Sequence, residues 1–189
     1  MQPNLYQLAF WLWMAIFVVW AIGSILTKQT IGSYSDWQSR IAVWIVAMSW
    51  WLLFNRNFSG ILGSQFLPQT EVGPYAGLLL TAAGLALAVW ARFYLGGNWS
   101  GLVELKKDHQ LIRGGPYTIV RHPIYSGFML ATLGTAILQR ELHGLLAFVL
   151  IAIVWSYKSR LEEAFLLKQF GAEYAQYRKH VKGLIPFVW

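Results

Sequence analysis

The chain has 189 residues, 57% of them hydrophobic and only 12% charged, with a net charge of +7. Soluble domains carry about 25% charged residues, so this is the composition of a bilayer-embedded protein rather than a water-soluble one. No basic stripe or recognition motif gathers the positive charge, which excludes nucleic acid and leaves anionic lipid headgroups as its counter-charge; the absence of cysteine excludes disulfides, thiolate metal sites, cysteine nucleophiles and palmitoylation.

Five nearly uncharged runs follow one another: Leu5 to Leu26, Ile41 to Phe54, Tyr75 to Leu95 broken only by Arg92, Pro123 to Gln139, and Leu142 to Tyr157. The first and third have the roughly 20 residues a bilayer needs, while the second must borrow Trp37 to Arg40 to reach across. The first lacks the basic flank and small-residue cleavage pattern of a secretory signal, so it is expected in the mature protein. Trp11, Trp13, Trp50 and Trp51 suit either the bilayer interface or helix contacts. Only Arg140 and Glu141 separate the last two runs, which predicts a tight helical hairpin. The tail beyond Tyr157 has amphipathic spacing, with Gly171 dividing it into two helices along the membrane face. The fold class is therefore all-α and polytopic, with about five transmembrane helices, a helical hairpin and C-terminal amphipathic helices. Residues 1–189 form one domain, with N-terminal helices over 1–74 and the functional core over 75–189.

Lysine and arginine divide unevenly between the two sides these runs define. With the N-terminus outside, Lys28, Arg40, Lys106, Lys107, Arg113, Arg121, Lys158, Arg160, Lys168, Arg178, Lys179 and Lys182 fall inside, against Arg56 and Arg140 outside. The positive-inside rule gives an N-out, C-in topology, with the polar clusters facing the cytoplasm.

Gly96 to Arg121 is a long loop on that side, and loops beyond about 12–15 residues are usually functional or disordered. Its Gly, Pro and aromatic content predicts order. Within it, Gly114-Gly115-Pro116-Tyr117 is a turn by composition and matches neither dinucleotide nor phosphate-loop spacing. Arg121-His122-Pro123 opens the fourth helix, with Pro at the first helical position, where a missing N–H costs nothing. Alone, these three residues are equally a helix start whose Arg121 snorkels to headgroups. Tyr125 shares the helix face of His122, Gly127 permits close approach of a ligand or a neighbouring helix, and the helix terminus favours a bound carboxylate. Glu162 and Glu163 point about 100° apart on a helix and do not share one ligand equally. They lie on a solvated face with Lys158 and Arg160, or they hold an ammonium group at the membrane boundary. His109, His122, His143 and His180 show no zinc-like spacing, and no metal is expected.

The pattern His109-x-Leu-Ile-x-x-Gly115-Pro-Tyr117-x-x-x-Arg121-His122-Pro123-x-Tyr125-x-Gly127, followed by Glu162-Glu163 and Phe170-Gly-x-Glu-Tyr-x-x-Tyr177, resembles the isoprenylcysteine carboxyl methyltransferase family and its prokaryotic relatives. The resemblance implies an integral membrane methyltransferase using S-adenosyl-L-methionine. It implies cofactor contacts along His109, Gln110, Leu111 and Ile112, at Tyr117, across His122, Pro123, Ile124 and Tyr125, and at the pair Glu162 and Glu163, with Glu162 the carboxylate placed on the cofactor. The family's substrate-contacting basic position is Lys158 here, where eukaryotic members have Arg, and Arg160 is the candidate to take over that role. Arg121, Lys158 and Arg160 are thus the candidate catalytic cations. The chain looks like a prokaryotic member, which implies an inner-membrane location and a lipophilic or amphiphilic acceptor, preferably a carboxylate, other than a prenylated CaaX protein. The competing readings are an NADPH-dependent membrane reductase of the sterol-reductase type and a non-enzymatic membrane scaffold.

Overall fold

The computed structural model describes residues 4–25, 27–33, 37–100, 104–106 and 110–188. Its elements in chain order are α1 (Leu5–Ile25), β1 (Thr30–Ser33), α2 (Trp37–Phe54), α3 (Val72–Leu95), β2 (Glu104–Lys106), α4 (Pro123–Gln139) and α5 (Leu142–His180). All five expected helices form. Three of them are long and apolar enough to cross a membrane, those containing α1, α3 and α5, whereas the apolar part of α2, Arg40–Phe54, is shorter. The helical expectation has one addition: β1 and β2 pair as an antiparallel ribbon, with an irregularity in register between Thr30 and Gly32. A four-residue TIGS stretch has too little alternation to announce a strand.

The tightest contact in the bundle is between α3 and α4, and glycine makes it possible. A Cβ on Gly77 would meet the Leu138 backbone at 2.5 Å, and one on Gly84 would meet the Gly127 carbonyl at 2.5 Å. The reciprocal positions Gly127 and Gly134 are equally blocked, by Gly84 and Thr81 backbone. Gly77 and Gly84 are seven residues apart, as are Gly127 and Gly134, so the two helices run antiparallel with glycine facing glycine. Lipid gives no hydrophobic drive for helices to associate, and such close backbone approach supplies the dispersion contacts that hold them. Between the glycines, Thr81 Oγ1 lies 3.1 Å from Thr135 Oγ1, which accepts from Trp13 Nε1 at 3.0 Å and so ties α1 to the pair. Trp13 and Trp50 pack edge to face at 4.5 Å between centroids, fastening α2, while Trp11 and Trp51 are exposed on the outer surface.

The α4–α5 hairpin turns on two residues, with Arg140 in the left-handed region (φ 65°) and Glu141 extended. Beyond it, the structure departs from the expected boundary at Tyr157. The helix does not stop at the end of its apolar part but continues as one rod to Phe170, where Gly171 (φ 52°, ψ −122°) breaks it. No Gly or Pro lies between 145 and 170, so nothing interrupts helix propagation. The expected break at Gly171 is present, and the expected first tail helix is the continuation of α5 beyond its apolar part.

Candidate functional site

At one end of the bundle the N-terminus of α4, the extension of α5 and the segment after α3 enclose a cavity of about 400 Å³, within the 300–1,000 Å³ typical of small-molecule sites. Pro123 opens α4 as its first residue, with His122 as N-cap. The chain's own C-terminal segment holds that start in place. Arg121 N–H donates to Lys182 O at 2.8 Å, His122 N–H to Gly183 O at 3.1 Å, and Ser126 Oγ to Leu184 O at 2.5 Å. These carbonyls take the N–H groups preceding the helix, which leaves the first-turn N–H groups of Ile124 and Tyr125 as the donors the helix end offers.

The preceding turn fixes Tyr117. Gly115 has φ 56°, and a side chain at Gly114 would collide with the Tyr94 hydroxyl at 2.2 Å and one at Gly115 with the Tyr94 ring at 2.5 Å. The short 3-10 turn Gly115–Thr118 then buries Tyr117, whose hydroxyl donates to Ala91 O at 3.4 Å and whose carbonyl accepts from Tyr177 Oη at 2.6 Å. Burial pushes both hydroxyls above their ordinary pKa, so both remain protonated.

His122 sits between the two adjacent glutamates. Its Nε2 lies 3.3 Å from Glu163 Oε1 and its Nδ1 3.5 Å from Glu162 Oε2. Tyr125 Oη donates to Glu162 Oε1. Arg121 Nε donates to Glu163 Oε1 at 3.0 Å, with its Nη2 on the same oxygen and its Nη1 on Val181 O. Burial alone opposes every charge here. For His122 the hydrogen bonds to Glu162 and Glu163 outweigh it and raise the pKa above the ordinary imidazole value. For the carboxyls, His122 together with Lys158 at Glu162, and His122 together with Arg121 at Glu163, hold both below the ordinary range. The site is an alternating charge cluster rather than a solvated helix face, which corrects one of the two readings of the glutamate pair.

Aromatic rings build the adjoining wall. His122 and Tyr125 stack at 5.6 Å and 5°, and Tyr125 and Trp155 at 4.5 Å and 9°. Lys158 Nζ lies over these faces, 5.6 Å from the Tyr125 centroid and 5.4 Å from that of Trp155. Trp155 Nε1 is buried with no hydrogen-bond partner.

Of the residues expected at the site, Gln110, Leu111, Ile112, Tyr117, Arg121, His122, Pro123, Ile124, Tyr125, Lys158 and Glu162 line this one cavity. His109 lies outside the described residues. Glu163 does not line the cavity and stands behind His122. Arg160 is exposed and also outside the lining; two residues from both Lys158 and Glu162, it points about 200° away from each on the α5 helix. The lining further includes Trp20, Asn98, Trp99, Phe128, Trp155, Phe165, Leu166, Tyr174 and Tyr177. Trp155, Lys158, Glu162, Phe165 and Leu166 fall at i, i+3, i+7, i+10 and i+11, a single helix stripe visible in the sequence once α5 is read as unbroken.

The family profile described as phospholipid methyltransferase matches residues 72–173. A protein-S-isoprenylcysteine O-methyltransferase of Schizosaccharomyces pombe is 31% identical over 86% of this chain and 77% of its own length. The Saccharomyces cerevisiae protein of that name is 35% identical over 63% of this chain and 51% of its length, and the human one 31% identical over 76% and 51%. The solved eukaryotic intramembrane Ras methyltransferase ICMT superposes with a TM-score of 0.58 at 26% identity, over 82% of this chain and 55% of that one. Against most of these relatives the chain spans little more than half their length.

Proposed function

Because the chain belongs to the phospholipid methyltransferase family, alongside the isoprenylcysteine O-methyltransferases, we propose that it transfers a methyl group from S-adenosylmethionine to a lipophilic acceptor bearing a carboxylate, at the cytoplasmic boundary of its membrane. The single observation that carries this reading is the convergence of the Glu162 carboxylate, the α4 start and a wall of stacked rings on one cavity at the end of the apolar spans. The donor set fits the cofactor. Glu162 matches an ammonium, the first turn of α4 with Arg121 matches a carboxylate, the Gln110–Ile112 backbone offers edge hydrogen bonds to an adenine, and the faces of Tyr125 and Trp155 suit a sulfonium. Trp155 Nε1, buried without a protein partner, is a donor such a ligand would satisfy.

Bound there, S-adenosylmethionine supplies an electrophilic methyl group that a carboxylate accepts without a general base. The residues therefore act by placement and exclusion of water, effects worth up to about 7–11 kcal/mol when two reactants are held in line. Lys158, over the aromatic wall, is the cation positioned to hold an anionic acceptor head. Trp20 and Phe128 form the apolar side, suited to the acceptor's hydrocarbon. An S-prenylated cysteine, the group in the relatives' names, has this combination of tail and carboxylate.

Titration calorimetry of the full chain in nanodiscs with S-adenosylhomocysteine tests the cofactor, with saturable binding the expected outcome. Absence of heat at millimolar ligand, in folded protein free of copurified cofactor, overturns the reading.

A further inference from the structure

Two adjacent glutamates on one helix face the same imidazole, but only one of them reaches the cavity. Glu162 lines it; Glu163 does not, and it is instead engaged by Arg121 through Nε and Nη2 and by His122 Nε2 at 3.3 Å. Arg121 is in turn fixed to Val181 O of the C-terminal segment. With a carboxylate against each of its ring nitrogens, His122 meets both only when both nitrogens carry protons. A neutral imidazole would present a lone pair to one carboxylate.

We propose that Glu163 is a positioning residue, which holds His122 as a two-sided donor so that its Nδ1, with Tyr125 Oη, fixes the Glu162 carboxylate in the cavity wall. The cofactor does not meet Glu163. The inference rests on the cofactor reading above, and concerns how Glu162 is kept in place. The groups that face His122 and its two partners are Arg121 beside it, Tyr125 on α4, Lys158 on α5, and beyond Gly171 Tyr174, Tyr177 and Arg178, whose Nε is 3.8 Å from Glu163 Oε2. Arg121, Arg178 and the three tyrosines keep their charge or their neutrality through the range from about pH 6 to pH 9 by their ordinary values. Burial lowers the pKa of Lys158, with Glu162 opposing it, and the variant His122→Gln, which retains Lys158, separates its titration from that of the imidazole.

The test is the pH profile of S-adenosylhomocysteine affinity between about pH 6 and pH 9, measured by calorimetry on the full chain in nanodiscs. For the wild type, affinity is expected to hold and then fall as His122 loses its proton. Glu163→Gln should move that fall to lower pH by about 1–3 units, the shift expected from removing a carboxylate within contact of an imidazolium. At the low end its affinity should approach the wild-type value. Glu162→Gln, which removes a direct contact, should bind at least tenfold more weakly at every pH. His122→Gln should have no inflection, and it keeps the proposal testable if Glu163→Gln does not fold. An unmoved inflection in Glu163→Gln, an equal loss at all pH values, or an inflection persisting in His122→Gln overturns the proposal. Failure of the wild type to bind is a different result, and removes the cofactor reading itself.

Discussion

Lys158 and Arg160 have the same charge and lie two residues apart, yet the helix sets them in different places. Lys158 lies over the rings of Tyr125 and Trp155 in the cavity, while Arg160 is exposed outside it. Lys158→Met should therefore raise the apparent KM for an anionic acceptor or lower kcat while cofactor affinity stays near wild type, and Arg160→Ala should change neither. Steady-state methylation of an S-prenylated N-acetylcysteine, read beside calorimetry, separates the two effects. Equal losses at both positions would mean that charge density, not cavity geometry, matters. Tyr125→Phe keeps the ring stack but removes the donor to Glu162. A hydrogen bond to a charged group contributes about 1.5–3 kcal/mol, so cofactor affinity should drop about tenfold or more. The same cluster predicts how stability varies with pH. His122 has its pKa raised on folding, so its contribution is complete below the ordinary imidazole value of about 6.5 and is lost as pH rises through the raised value. Glu163 has its pKa depressed, so its contribution is complete above the ordinary carboxylate value of about 4.3 and is lost as pH falls through the depressed one. Thermal unfolding in detergent should accordingly be highest between those limits, with the alkaline decline absent in His122→Gln.

Each element's role comes from what it leaves out as much as from what it presents. Along α3 and α4, four glycines leave room for backbone to meet backbone, and Gly84→Leu or Gly127→Val should push the helices apart. Overpacking a close contact costs about 1–3 kcal/mol; in these variants the Cβ would meet backbone at 2.5 Å, which cannot rotate away. Lowered melting temperature in detergent is the expected result, and an unchanged one would show that this contact yields easily. Much of the site was legible because its residues lie on regular elements with readable spacing. The Pro123 helix start, the shared face of His122 and Tyr125, and the polar interruption at Glu162 are all local facts. What sequence spacing did not reveal was made by distant segments meeting. Trp20 reaches the cavity from α1, and the Lys182–Leu184 carbonyls cap the start of α4 from the far end of the chain. The separate task of Glu163 was hidden for the same reason, since it depends on Arg121 being held by Val181 O. Trp155 is a different case. Its place one and two turns before Lys158 and Glu162 was available, but it was masked by ending the fifth span at Tyr157.

The whole chain places its chemistry at one end of an apolar bundle, and its charges follow the same asymmetry. The cavity, the β1–β2 ribbon and the half of α5 beyond Tyr157 all lie toward the end where α1 finishes and α4 begins, since Lys28 N–H bonds Gly97 O there and the C-terminal segment caps α4. The opposite end carries the Arg140–Glu141 turn, where His143 bonds Glu141 and the Leu52 carbonyl. Arg56 and Arg140 belong to that end, whereas Lys28, Arg113, Arg121, Lys158, Arg178, Lys179 and Lys182 belong to the cavity end. Cytoplasmic loops hold the excess of Lys and Arg in membrane proteins, and on that rule we propose that the cavity end faces the cytoplasm, with the N-terminus outside and the C-terminus inside. That proposed orientation would face the cavity toward the compartment that supplies a nucleoside cofactor, with the apolar side at Trp20 and Phe128 turned to the acceptor's tail. Fusion of a reporter active only in the cytoplasm to the C-terminus should give signal, and one active only outside should not. Moving the balance is the stronger test. Converting Lys179 and Lys182 to Gln and adding four Lys near Asn57, in the loop after α2, should weaken or mix the orientation if loop charge sets it. If the C-terminal reporter is active only outside in the unaltered chain, the inward-facing cavity, and with it access to a cytoplasmic cofactor, is wrong.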